Sequence, residues 1–223
     1  MSEYDGLAHR LWYGGWRGLC QIVAVTFFGI RSFGRENVPA KGGALLASNH
    51  QSFLDPTVVG LCLARQVHYL ARDSLFRRPA FAWLIRSVNT FPVKRHTADL
   101  GAIKECLRRL KDHQLLLLFS EGTRTHDGRI APLQPGMAMM ARKAKVPLIP
   151  VVIDGAFEAW PRSSKTCRLS TIRVMYGQPI SAQQITAIGD KAASKIVYQR
   201  QKEMQHLLRR RYGRKPYDYD RYI

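Results

Sequence analysis

Acidic residues are scarce in this chain: 16 Asp and Glu stand against 35 Lys and Arg across 223 residues, a formal net charge of +19. An ordered domain with that imbalance is suited to an anionic partner, whether nucleic acid, a membrane surface or a phosphorylated small molecule, and composition does not choose among them. Disorder is excluded by 46% hydrophobic and 10% aromatic residues. Cysteine is sparse as well. Cys20, Cys62, Cys106 and Cys167 lie far apart with no CxxC pair, which argues against a disulfide framework or a structural zinc site and leaves reduced, mostly buried thiols. No apolar run is long: the apolar stretch at residues 18–30, between Arg17 and Arg31, falls short of the roughly 20 residues a spanning helix needs. A small-residue cleavage site is missing too, so a secretory signal is not expected. Repeats, low-complexity linkers and composition breaks are absent, which leaves one domain as the expectation.

What is present begins with aromatics. Trp12, Tyr13 and Trp16 precede the apolar stretch, and Arg10, Arg17, Arg31 and Arg35 bracket both. Indole and phenol rings favour the headgroup level of a bilayer, where arginine meets anionic lipid. Residues 1–34 therefore read as a peripheral, monotopic anchor on the cytoplasmic face of a membrane, or else as a helix covering the core.

From residue 43 onward short apolar runs alternate with helical patterns, which predicts a single α/β domain (35–212) with a mostly parallel central sheet flanked by helices. Strands are expected at 44–48, 67–71, 90–93, 115–119, 148–153 and 171–176. Pro56 and Pro79 suit first helical positions, and residues 100–110 and 136–144 mark two further helices. Apolar positions from Ile185 to Leu208 predict one amphipathic helix over 182–212, ending in a solvated basic cluster at Arg209–Arg211. A basic, tyrosine-rich tail (213–223) follows.

Chemistry gathers where the expected strands end. In an open α/β sheet the active site lies outside the carboxyl ends of the strands. The first apolar strand runs into Asn49-His50-Gln51-Ser52-Phe53-Leu54-Asp55-Pro56. In a tight turn the Asp55 carboxylate reaches back to a ring nitrogen of His50 and leaves the other nitrogen as a general base; alternatively Asp55 is a plain helix cap before Pro56. A second strand runs into Ser120-Glu121-Gly122-Thr123-Arg124-Thr125, where Arg124 offers a planar fork for phosphate, Thr123 and Thr125 offer hydroxyls and Gly122 admits a close backbone approach. A third ends in Lys94-Arg95. Right-handed crossovers bring such ends to one rim. Neither a GxxxxGK[ST] phosphate loop nor a GxSxG elbow is present.

The ordered blocks Asn49-His50-x4-Asp55, Phe91-Pro92-Val93-Lys94-Arg95, Phe119-Ser120-Glu121-Gly122-Thr123-Arg124 and Val146-Pro147-Leu148-Ile149-Pro150-Val151 resemble the glycerolipid acyltransferases of the lysophosphatidate acyltransferase (PlsC-like) family over about residues 35–180. The resemblance implies acyl transfer from a thioester, acyl-CoA or acyl-carrier protein, to the hydroxyl of a glycerol phosphate lipid such as 1-acyl-sn-glycerol 3-phosphate. The thioester is a co-substrate, and no cofactor or metal is expected. The family's catalytic pair maps onto His50 and Asp55. Phosphate binding falls to Arg95 and Arg124, with Glu121, Gly122 and Thr123 shaping the acceptor pocket and Lys94 and Asn49 as additional candidates. The block from Val146 to Val151 maps onto a motif linked to the acyl side. Lys94 departs from the small polar or acidic residue frequent there, and Ser120 from a frequent Pro. Acylation of another lyso-lipid or of glycerol phosphate is the alternative within the same chemistry. A nucleic-acid-binding module would also suit the charge, but here the aromatics gather at the two ends while the candidate site mixes His with carboxylates, so no nucleic acid is expected.

Overall fold

The computed structural model describes residues 7–93, 99–133 and 136–219, with side chains from residue 11 onward. Its strands are β1 (Arg31–Phe33), β2 (Ala44–Ser48), β3 (Val67–Arg72), β4 (Thr90–Val93), β5 (Leu115–Phe119), β6 (Leu148–Asp154) and β7 (Arg173–Tyr176). Its helices are α1 (Leu7–Phe28), α2 (Asp55–Leu61), α3 (Pro79–Ser87), α4 (Leu100–Lys111), α5 (Met137–Ala144), α6 (Ala156–Ala159), α7 (Ala182–Ile188) and α8 (Asp190–Arg211). One seven-stranded sheet has the order β1-β7-β6-β2-β5-β3-β4. The pairs from β6 through β4 are parallel, β7 is antiparallel to β6, and β1 is parallel to β7.

The central strands are continuous apolar runs because helices cover both faces of the sheet. Every residue of β2 and β6 is buried. Successive side chains point to opposite faces, so Leu46, Leu117 and Ile149 join one core layer with Val59 of α2 and Tyr176 of β7. Leu45, Leu116 and Leu148 join the other with Ala138 and Ala141 of α5 and Val197 of α8. The parallel strands thus deliver their carboxyl ends, at Ser48, Phe119, Val93 and Asp154, to one rim.

Four details depart from the sequence reading. The edge strand β1 was not anticipated; three residues opening on an arginine carry no periodicity, and pairing with β7 alone defines it. The expected helix over 182–212 is two helices, α7 and α8, separated by Gly189 at φ +85, a left-handed conformation that ends α7 where other residues would be strained. Arg209 is not a solvated cation: it is buried, paired with Asp154 at 2.8 Å, and its Nε donates to the Lys215 carbonyl at 2.7 Å. Tyr13 faces the domain instead of the headgroup level.

Helix α1 has two characters. Its inner side buries Tyr13 and Ala24, and the Gln21 amide donates to the Leu61 carbonyl at 2.8 Å. Its outer side exposes Leu11, Leu19, Ile22, Val25 and Phe27, joined at one end by Trp12, Trp16 and Trp83. Among the described residues no helix is long and apolar enough to cross a membrane.

Candidate active site

The loop after β2 forms the centre of the rim. Small polar residues take over where the ladder stops, because backbone groups released from the sheet still need partners. Asn49, fully buried, clasps Ile153 with its amide donating at 2.9 Å and its carbonyl oxygen accepting at 2.8 Å, so its side chain belongs to the scaffold of the site. Ser120 donates from its hydroxyl and backbone to the Ser48 carbonyl, and the Thr125 N–H donates to the His50 carbonyl at 2.8 Å. The loops after β2 and β5 and the end of β6 are thereby stitched together.

Asp55 is the first residue of α2 and caps nothing in the usual forward sense. Its Oδ2 turns back, accepting the N–H groups of Gln51 at 2.5 Å and Ser52 at 2.7 Å, and lies 2.7 Å from His50 Nδ1. Three contacts on one oxygen leave the acid little freedom, and it in turn holds the imidazole. With Nδ1–H donating to Asp55, the lone pair is at Nε2, which has no partner among the described residues. The His50 ring stacks on Phe119 with centroids 3.8 Å apart and planes 13° from parallel. The His50 ring is therefore oriented at both its edge and its face.

Glu121 accepts the His50 N–H at 3.0 Å and the Ala131 N–H. Burial, reinforced by Asp55 and Asp127, pushes its carboxyl up to about 8, so it is neutral at pH 7 despite those donors. A consequence for stability follows from proton linkage. Folded Glu121 keeps its proton to about pH 8 while the unfolded chain releases it near 4.5, so the unfolded state binds fewer protons in that window. This residue's contribution then falls as pH rises from about 4.5 to about 8 and levels off above. Glu121→Gln, which retains an acceptor for both N–H groups, is expected to flatten that slope. Urea unfolding of both proteins across the window checks it, and unchanged slopes would place an ionised carboxylate at this position.

Beyond Glu121 the chain turns at Gly122, φ +68, a left-handed conformation that favours glycine. Thr123 is exposed, and its hydroxyl accepts from Arg162 at 3.4 Å. The Arg124 guanidinium lies 3.5 Å over the Phe53 ring, which meets Trp160 at 5.3 Å. An aromatic platform of this kind pre-orients the guanidinium fork. Lys94 and Arg95, next in the chain after β4, lie outside the described residues. Among the described residues no group of three or more His, Cys, Asp or Glu is gathered to hold a metal.

Sequence reasoning missed a supporting network. The Gly128 carbonyl accepts from Gln51 at 2.8 Å and from Gln205 of α8 at 3.1 Å. The Tyr219 hydroxyl donates to the Gln205 side-chain oxygen and accepts the Ile130 N–H at 3.1 Å. A Cβ at Gly128 would stand 2.1 Å from the Tyr217 hydroxyl, so the tail packs directly on the loop that follows Arg124. Arg162 was missed as well; with Thr125, His126, Phe157 and Ser163 it lines a hollow of about 240 Å3 beside that loop. The only sequence signal was the basic and hydroxyl composition around residues 162–168.

A family model described as Acyltransferase matches residues 29–154, more than half of the chain and inclusive of His50, Asp55 and Glu121 to Arg124. The 1-acyl-sn-glycerol-3-phosphate acyltransferase of Bacillus subtilis (strain 168) is 27% identical over 186 residues, covering 81% of this chain and 90% of the relative. The chloroplastic 1-acyl-sn-glycerol-3-phosphate acyltransferase LPAT1 of Arabidopsis thaliana is 29% identical over 179 residues, 78% of this chain and 50% of the relative, so the chain spans half of that plant protein. Among solved structures, the 1-acyl-sn-glycerophosphate (LPA) acyltransferase PlsC from Thermotoga maritima superposes with a TM-score of 0.77 at 24% identity, over 88% of this chain and 79% of that one. That last likeness is one of fold.

Proposed function

The chain belongs to the acyltransferase family, and from that premise we propose that it moves an acyl group from a thioester, acyl-CoA or acyl-carrier protein, to the free hydroxyl of 1-acyl-sn-glycerol 3-phosphate, giving phosphatidate. The observation that carries this reading is the 2.7 Å contact between His50 Nδ1 and Asp55 Oδ2, which leaves Nε2 as the base at the rim. Nε2 takes the hydroxyl proton as the oxygen bonds to the thioester carbonyl carbon. Collapse of the tetrahedral intermediate breaks the C–S bond, and the imidazolium returns the proton to the departing sulfur. Asp55 stabilises the imidazolium between those steps. Neither Cys62 nor Cys106 takes part: burial raises the Cys62 thiol to about 11 and that of Cys106 to about 12, the opposite of an activated nucleophile.

The acceptor phosphate is assigned to Arg124, stacked on Phe53, with Arg95. A charge-assisted contact is worth about 1.5–3 kcal/mol, so Arg124→Gln is expected to raise KM for the phosphorylated acceptor roughly ten- to hundredfold with a smaller effect on kcat. The assay follows free thiol with a panel of 1-acyl-sn-glycerol 3-phosphate, glycerol 3-phosphate and phosphate-free monoacylglycerol. An equal loss on the phosphate-free acceptor would assign Arg124 to structure instead. The preferred acceptor in the wild-type panel decides the substrate.

A lipid acceptor and product place the work at a bilayer, and the reading extends to α1 lying on the cytoplasmic face with its outer side partly buried. The exposure of Leu19 and Phe27, 56% each, supports it. Each such side chain gains about 1.5–3 kcal/mol when fully buried, and nearby arginines add roughly 1 kcal/mol each at an anionic surface, screened by salt. A Leu19→Glu/Phe27→Glu double variant of the full chain is expected to lose the salt-resistant part of vesicle co-sedimentation and keep the salt-sensitive part. Undiminished binding at high salt would remove α1 from that role.

A further inference from the structure

Away from the catalytic rim, α1 does not lie flush on the domain. An open groove of about 610 Å3 runs between its second half, the carboxyl end of α2, and β1 with the turn that follows. Two arginines, Arg17 and Arg35, line it, and no carboxylate does. Cys62 and Ser32 line the same groove, so both guanidinium groups share it with the Cys62 thiol. Arg17 spends Nη1 on the Ala64 carbonyl at 3.1 Å, while its Nε is buried with no hydrogen-bond partner among the described residues. Arg35 is exposed and forms no ion pair among them.

The outer wall is of a different kind. Ile22 and Val25, 68% and 60% exposed, border the groove and also belong to the outward apolar side of α1. Whatever covers that side is therefore continuous with whatever fills the groove. None of the lining residues comes from the loops that carry His50, Glu121 or Arg124. The volume falls within the range of small-ligand sites, about 300–1,000 Å3, and positive charge combined with open apolar surface in one groove matches one chemistry, a phosphate ester bearing hydrocarbon chains.

We propose that this groove binds an anionic phospholipid of the bilayer, its phosphate between Arg17 and Arg35 and its acyl chains passing over Ile22 and Val25. The site is separate from the acceptor site, and it rests on the membrane reading of α1 only for the source of the lipid. A lipid seated there braces α1 against the far end of the helix whose first residue is Asp55.

The test uses the wild-type full chain and a monomeric short-chain lipid, so no bilayer is needed and its result stands apart from vesicle binding. Iodoacetamide labelling at mildly alkaline pH, resolved by peptide mass, reports Cys62 inside the groove, with exposed Cys167 as internal control. Dihexanoyl-phosphatidylglycerol at about five times its Kd should slow Cys62 labelling about sixfold by mass action and leave Cys167 unchanged. Dihexanoyl-phosphatidylcholine should give little protection, and Arg35→Gln should remove that given by the anionic lipid. No protection by the anionic lipid, equal protection by the choline lipid, or protection that survives Arg35→Gln overturns the site. Full protection by inorganic phosphate alone would also overturn it, in favour of a free-anion site.

Discussion

His50→Ala should remove nearly all acyl transfer, a loss of about 100- to 10,000-fold, the usual worth of a positioned general base. The expectation rests on how completely the ring is committed. Its Nδ1 is held by an oxygen that two backbone N–H groups also hold, its face lies on Phe119, and its own N–H and carbonyl are tied to Glu121 and Thr125. Those backbone ties survive truncation of the side chain, so the variant is expected to fold. Thermal unfolding measured beside thiol release separates lost chemistry from lost structure. A folded variant turning over within about threefold of wild type would remove His50 from proton transfer.

The second large effect is expected for Asp55→Asn. A side-chain oxygen in the place of Oδ2 can still accept from Gln51, Ser52 and the imidazole, so geometry is retained while the negative charge is lost. The imidazolium formed during transfer then lacks its counter-charge in a buried setting. A kcat loss of about 100-fold or more is expected, approaching the roughly 10,000-fold seen when the analogous acid of a hydrolase triad is neutralised. Among the described residues Asp55 Oδ1 is buried without a hydrogen-bond partner, so the new amide N–H groups find none there, at a stability cost of about 1–3 kcal/mol. Kinetics and denaturant unfolding on the same preparation check both parts. Full activity would return Asp55 to a purely structural place at the start of α2.

How much of this was legible without coordinates depended on the range of the interactions. The runs at 115–119 and 148–153 announce buried parallel strands because helices on both faces remove any need for polar alternation. The placement of His50 and Asp55 was also legible, since their contact is five residues long and sits where a strand ends. The neutral state of Glu121 was not, because it arises from burial that loops from several strands create together. The support of Gly128 by Gln51 and Gln205, each 77 residues away, and of Ile130 by Tyr219, 89 residues away, leaves no local pattern. Arg209 deceived for the same reason: a basic helix end reads as solvated until the fold brings Asp154 to it. Helix α1 carried both of its readings in sequence, and only packing assigned Tyr13 to the inner side and Leu19 to the outer.

Direct transfer to the lipid hydroxyl is tested most plainly by counting thiol released against phosphatidate formed, with and without 1-acyl-sn-glycerol 3-phosphate, on the purified full chain. Direct transfer predicts equal amounts of the two products and almost no thiol without acceptor. Thiol release that is indifferent to the acceptor, with free fatty acid as the product, would instead make the His50–Asp55 pair a water-activating thioesterase and contradict the proposed reaction.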